Sequence, residues 1–359
     1  MTGVSFLIPA RNAGPLLSLV VSSIAAQQAL SLRPFEVVVV DDGSDDGAVE
    51  ALRVRRPALP LQLIRTDGVG AAAALNCGLG VVRYPLVAQV DQDVRLEPGW
   101  LGPLLHAMDD PGVAAAQGQY VTDPNGTIWQ RVMGRDLEDR YARLGAETGH
   151  VCTGNVVYRR EALVAIGGFD ERLGYGYDND VSYRLRAAGF TLRYCATALS
   201  THAWRPTLAG YVRQQYGFGY GRLDLVAKHR GHVRGDDVSR LPMMLHPLIL
   251  TLALVLAAWS VLAGSVAAPM WSAAGLVSLL VVERAVAGLR ALRRSGDPVT
   301  LLFPLAHLAR DLAWVAAIVL WVCRRAGGIR PVPAHSMSPR RPRSAPRTDA
   351  SPGVVEDAV

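Results

Sequence analysis

Between Leu241 and Val282 the chain holds no Asp, Glu, Lys or Arg. A helix needs about twenty mainly apolar residues to cross the hydrocarbon core of a bilayer, so this run is long enough for two spans. They are expected near residues 247–265 and 268–287, joined by a tight turn around 264–269. A run with no charge at all fits lipid better than a helical hairpin buried in a soluble protein. The composition agrees: half of the 359 residues are hydrophobic and only 19% are charged, and the apolar excess gathers after Leu241.

A third apolar segment, 299–323, carries His307, Arg310 and Asp311 near its middle. Charges at mid-bilayer are costly and should face protein or water. Arg290, Arg293 and Arg294 precede it, and Arg324, Arg325 and Arg330 follow. By the positive-inside rule both flanks belong in the cytoplasm, whereas a full third span would carry the basic tail outside. Two readings stay open: the segment lies along or dips into the inner face of the membrane, or it crosses against the charge rule. Residues 327–359, rich in Pro, Ser and Arg, read as a disordered basic tail.

The net charge of +6 sits largely in arginines beside these apolar segments, which suits anionic lipid rather than a nucleic-acid groove. No nucleic-acid partner is expected. Cys77, Cys152, Cys195 and Cys323 are scattered without a C-x-x-C pair and read as thiols in a reducing compartment. The first residues lack the basic and long apolar regions of a signal peptide. The expected location is the inner (cytoplasmic) membrane, multi-pass, with the first part of the chain facing the cytoplasm. A truncation near Asp237 is expected to be largely soluble.

Residues 1–240 are of another kind. Apolar runs at 4–8, 36–40, 61–65 and 86–90 alternate with helical stretches at 16–26, around Val49 and Leu52, and at 70–82. Such alternation implies an α/β fold with a mainly parallel sheet covered on both faces, whose ligands bind beyond the carboxyl ends of the strands. Three segments at such ends carry polar chemistry. Pro9-Ala10-Arg11-Asn12 and Asp41-Asp42-Gly43-Ser44 follow the first two strands, where a carboxylate can accept from a ribose or base, although Asp-Asp-Gly-Ser also makes a good turn. Asp91-Gln92-Asp93 follows the fourth strand; residues two apart in an extended segment point the same way, so both carboxylates can face one divalent cation or merely form a polar loop. Gly174-Tyr175-Gly176-Tyr177-Asp178-Asn179-Asp180 runs into a helix, where an Asp can serve as N-cap or as a general base.

Together these segments resemble the family 2 glycosyltransferases, which have a GT-A fold. The resemblance runs from about Val4 to Arg222 and also takes in residues 153–160, 166–171, 181–186 and His202. It implies a GT-A, Rossmann-like nucleotide-sugar-binding domain over 1–240, followed by a membrane region at 241–326. It also implies a nucleotide-diphosphate sugar donor held by Pro9, Ala10, Asn12, Asp41 and Asp91. The metal, Mg2+ or Mn2+, would be bound by Asp93, with His202 at the diphosphate or metal; read alone, His202 between Thr201 and Ala203 equally suits a residue that only supports a loop. An acidic residue of a Glu-Asp motif would be the base of an inverting displacement: Asp178 matches that Asp, and Asp180 stands two residues on as the rival. Tyr177 replaces the usual Glu. The Gln-x-x-Arg-Trp motif of processive synthases is missing, and the glycine-rich stretch 213–222 looks like that of non-processive members. Trp204 is placed near an acceptor that is unknown, lipid-linked or membrane-proximal. The alternatives are a processive polysaccharide synthase and a non-catalytic scaffold that binds nucleotide sugars at the membrane.

Overall fold

The computed structural model describes residues 2–55, 59–264 and 267–328. The expected tail lies outside these, apart from Gly327 and Gly328. Eight strands form one sheet: β1 (Val4–Ala10), β2 (Phe35–Asp42), β3 (Leu61–Thr66), β4 (Leu86–Val90), β5 (Val94–Leu96), β6 (Val113–Val121), β7 (Asn155–Arg159) and β8 (Thr191–His202), in the order β3-β2-β1-β4-β7-β6-β8-β5. The helices of the same region are α1 (Leu16–Ala25), α2 (Ala48–Arg55), α3 (Ala71–Val81), α4 (Leu101–Ala107), α5 (Ile128–Tyr141), α6 (Arg160–Ala165), α7 (Tyr177–Ala187) and α8 (Leu208–Lys228).

Alternation along the strands divides the core in two. Phe6, Ile8, Val37 and Val39 meet Leu17, Val20 and Ile24 of α1 on one face. Leu7, Val38 and Val40 meet Leu75 and Leu79 of α3 on the other. Both faces are therefore buried, and the strands read as unbroken β-branched runs.

The sheet is mixed. β3, β2, β1 and β4 pair in parallel, as do β6 and β8, whereas β7 runs antiparallel between β4 and β6. The reversal has a use. Asn155, the first residue of β7, pairs with Val90, the last of β4, so the Thr153-Gly154 turn lands beside Asp91 at the sheet's carboxyl edge.

Three helices follow: α9 (Leu241–Leu262), α10 (Ala267–Ser295) and α11 (Phe303–Ala326). All three are long and apolar enough to cross a membrane, and they expose large apolar side chains such as Leu248, Val255, Trp259, Trp271 and Leu279. These helices associate the chain with a membrane. They do not hang from the α/β domain by a linker. Val132, Met133 and Tyr211 of α5 and α8 share a buried cluster with Ala287, Phe303 and Ala306 of α10 and α11. Ion pairs Asp136–His307, Arg135–Asp297 and Asp139–Arg294 cross the same junction at 2.9, 3.2 and 2.7 Å. A break near Asp237 would therefore cut through a shared core, contrary to the expectation of a freely soluble fragment.

Candidate active site

A cavity of about 530 Å³ opens at the carboxyl edge of the sheet, where β1 and β4 diverge to opposite sides. That is the switch point at which open α/β sheets hold ligands. Pro9, Ala10 and Arg11 line it from the end of β1, Asp42 from β2, and Asp91, Gln92 and Asp93 from β4.

The two carboxylates of β2 differ in their partners. Asp41 does not line the cavity: its oxygens accept from the Ser44 N–H at 2.9 Å and from the Arg65 guanidinium at 2.6 Å. Asp42 does, with its oxygens also receiving the Val69 and Gly70 N–H groups at 2.7 and 2.9 Å at the start of α3. Asn12 is likewise a brace outside the lining. At φ 50° its Oδ1 accepts from the Asp45 N–H, and its own N–H donates to Ser44 Oγ, so it ties the β1 and β2 loops together. Of the residues expected at the nucleotide, Pro9, Ala10 and Asp91 face the cavity.

Asp91 accepts from Gln89 Nε2 at 2.9 Å. Burial, aided by the charge of Asp93, pushes its carboxyl up to about 7. Opposite it, Gly154 has φ 99°, and a Cβ there would stand 2.4 Å from Asp91 Oδ2, so only glycine lets this turn approach the carboxylate. Asp93 reaches His202 through strand pairing: Val94 of β5 lies opposite His202 of β8, and His202 Nε2 stands 3.7 Å from Asp93 Oδ1. The imidazole stacks on Trp204 with ring centroids 4.0 Å apart. Burial lowers its pKa, against the pull of Asp93, which favours the neutral, ligating form.

The residues fit a divalent cation. Two close carboxylates repel each other in a partly desolvated wall, which is the demand a cation meets. Among the described residues no group of three or more His, Cys, Asp or Glu side chains is arranged to hold a metal. Asp93 and His202, with Asp91 beside them, would thus share the ion with oxygens from a substrate diphosphate and water, a division that magnesium-type ions accept.

On the other wall, α7 begins after Gly176, whose φ of 77° forms the N-cap without any side-chain cap. Neither Asp178 nor Asp180 is the cap. Two helical positions apart they point about 200° from each other, and packing selects which one faces in. Asp178 lines the cavity; its Oδ1 accepts from the Asn179 N–H, and its Oδ2 faces His150 Nε2 at 3.6 Å. Asp180 is fully buried and turned away, bound by Arg184 at 2.7 Å, Lys228 at 2.5 Å and His229 at 2.7 Å. Desolvation works against its charge, but the hydrogen bonds from His229, Lys228 and Arg184 outweigh it and hold the pKa low. Asp180 is built as the centre of an ion cluster.

The far end of the cavity belongs to α8 and the membrane helices. Cβ atoms at Gly217 and Gly221 would run into Tyr175, and one at Gly219 would press on Trp314. The glycine-rich stretch of α8 is therefore thin enough to seat a cavity loop on one side and α11 on the other. Met243, Arg310 and Trp314 complete the lining. His150, Asp42 and Arg310 were not singled out as site residues. His150 has no local motif to mark it, while Arg310 was marked only as a charge that an apolar helix must direct toward protein or water.

The mixed α/β sheet, with its cavity at the carboxyl edge, is that of a GT-A fold. Residues 5–167 match the family model described as Glycosyl transferase family 2. It is 30% identical over 338 residues to the pre-mycofactocin glycosyltransferase of Mycobacterium tuberculosis, covering 89% of this chain and 64% of that protein. It is 26% identical over 315 residues to an N-acetylglucosaminyltransferase of Bradyrhizobium diazoefficiens, covering 80% of this chain and 63% of the relative. The chain thus spans somewhat under two thirds of these relatives. A solved mannosyltransferase from Pyrobaculum calidifontis, in complex with GDP-Man and Mn2+, shares the fold at a TM-score of 0.57 and 22% identity, over 86% of each chain.

Proposed function

We propose that the protein transfers a sugar from a nucleotide-diphosphate donor to an acceptor hydroxyl at the cytoplasmic face of the inner membrane, with inversion at the anomeric carbon. The observation that carries this reading is the placing of Asp178. It is the α7 carboxylate turned into the cavity, in the same cavity as Asp91, Asp93 and His202, and near enough to Asp91 to push up its pKa.

The nucleotide lies against Pro9, Ala10 and Asp42, with Asp91 at its inner edge. Asp93 and His202 would hold magnesium or manganese, which when bound supplies Lewis-acid neutralisation of the leaving diphosphate. Asp178 Oδ2 takes the proton of the acceptor hydroxyl as its oxygen bonds to the anomeric carbon, and the bond from that carbon to the diphosphate oxygen breaks on the opposite face. His150, with Nε2 at 3.6 Å from Asp178 Oδ2, helps to orient the carboxylate.

We further read α9 and α10 as the two membrane spans and α11 as a helix lying on the inner face. α11 follows α8 along its length: Tyr211 donates to the Ala306 carbonyl, Gly219 faces Trp314, and Trp321 Nε1 donates to Asp224. The attachment of α11 along α8 supports a place beside the catalytic domain rather than a third crossing of the bilayer. Its outer row Leu305, Leu312, Val319 and Val322 is exposed and suits the acyl boundary. Arg324 and Arg325 at the end of α11 then stay on the side of Arg290, Arg293 and Arg294, which satisfies the charge rule. Two spans also provide too little wall for a polymer channel, which disfavours a processive synthase. Screening nucleotide sugars for metal-dependent release of the nucleoside diphosphate by the full-length protein tests the transferase reading, and a protein that binds donors without ever cleaving them would be a scaffold.

A further inference from the structure

Where α11 meets the cavity there is an excess of buried positive charge. Asp136 is taken by Arg140 at 3.0 Å and by His307 at 2.9 Å. Asp311 is paired with Arg284. Arg310, whose side chain is 5% exposed, has only a 3.4 Å contact from Nε to the same Asp311 among the described residues. Asp311 is thus shared by two guanidinium groups, with the half-exposed Glu283 near Arg284, and the more weakly held guanidinium, that of Arg310, lines the cavity. Trp314, one helical turn further and so on the same face, also lines it, and its buried indole Nε1 has no acceptor among the described residues. A buried charge that must share its carboxylate and a buried donor without an acceptor are both costly. Here both stand at the edge of a space where a ligand sits.

We propose that Arg310 and Trp314 form an anion-binding subsite that holds a phosphate or carboxylate group of the acceptor. The inference rests on the transferase reading, because it places the acceptor's anionic group in the cavity that Asp178 also lines. The position favours an anion borne by a lipid: the same helix exposes Leu305 and Leu312 on its outer side, so Arg310 lies at the depth of the headgroups. A soluble acceptor anion would use the same two donors.

The test is calorimetric titration of the full-length protein in neutral detergent with hexyl phosphate, hexanol and inorganic phosphate. Wild type is run beside Arg310→Gln and Arg310→Lys. Hexyl phosphate should bind wild type and bind Arg310→Gln about ten- to a hundredfold more weakly, the worth of a hydrogen bond to a charged group. Arg310→Lys should fall between them, and hexanol should not bind. UDP or GDP with Mn2+ should bind all three proteins alike, which shows that the variants are folded and that the donor end is separate. Inorganic phosphate as tight as hexyl phosphate would keep the subsite and assign it to a soluble anion, whereas tighter hexyl phosphate would assign it to a lipid. Failure of both anions on wild type, undiminished binding to Arg310→Gln, or loss of nucleotide binding in that variant would overturn the inference. If neither nucleotide binds wild type, it is the transferase reading that fails.

Discussion

His150 Nε2 faces Asp178 Oδ2 at 3.6 Å across the cavity wall, and the imidazole is buried. Burial alone would drive His150 neutral, but the carboxylates of Asp178 and Asp236 outweigh it and raise its pKa above 6.5. A histidine raised on folding adds stability that is complete below its unfolded pKa and is lost as the pH climbs through the folded one. The advantage of wild type over His150→Gln in chemical denaturation should therefore be larger near pH 6 than near pH 9. An advantage that does not change between the two would show that the pair does not interact.

Asp178→Asn keeps the shape of the side chain and removes its basicity. A general base contributes about a hundred- to ten-thousandfold, and its loss acts on the transition state alone. Turnover should fall by that order while donor affinity, measured by titration, stays nearly constant. A matching loss of donor affinity would place Asp178 among the binding groups instead.

Asp180→Asn should behave in the opposite way. It leaves Arg184, Lys228 and His229 around a neutral, buried group, and breaking a buried pair costs about 3–5 kcal/mol. Thermal unfolding should come earlier, with turnover per folded molecule largely kept. A variant as stable as wild type but inactive would return the base to Asp180.

The junction between the catalytic domain and the membrane helices predicts that a truncation at Asp237 unfolds well below the full chain or aggregates, since Val132, Met133 and Tyr211 lose their cover. Light scattering on heating, for fragment and full chain, reads this. A monodisperse fragment of undiminished stability would mean that the shared core contributes little.

A cysteine at Gly327, with Cys323→Ser to remove its neighbour, reports where the chain emerges from α11. A membrane-impermeant maleimide should label it in inside-out vesicles and leave it untouched in right-side-out ones. The reverse pattern would make α11 a full span.

The parallel half of the sheet was legible because Val37–Val40 and the other β-branched runs end in turns rich in Asp and Gly, and strand ends are where ligands collect. The antiparallel entry of β7 was not, since nothing local to Asn155 says that it lies against Val90. Asp91 and Asp93 could be picked out as a pair, but the approach of His202 to Asp93 depends on β5 finding β8 from far along the chain. Between Asp178 and Asp180 the helical period says only that one faces in. The choice is made by Lys228 and His229 at the end of α8, a tertiary matter. Of the two β2 carboxylates, Asp42 lines the cavity while Asp41 is held by Ser44 and Arg65, a difference in partners that the Asp-Asp-Gly-Ser segment does not show. The charges of α11 were legible as charges needing partners, though their partners on α5 and α10 were not.

The most direct measurement is release of nucleoside diphosphate from a panel of nucleotide sugars by purified full-length protein in neutral detergent, wild type beside Asp93→Ala. The account predicts release from at least one donor with Mn2+ or Mg2+, stopped by excess chelator and absent in Asp93→Ala. Release that continues in chelator and in the variant, or no binding and no release with any donor, would contradict it.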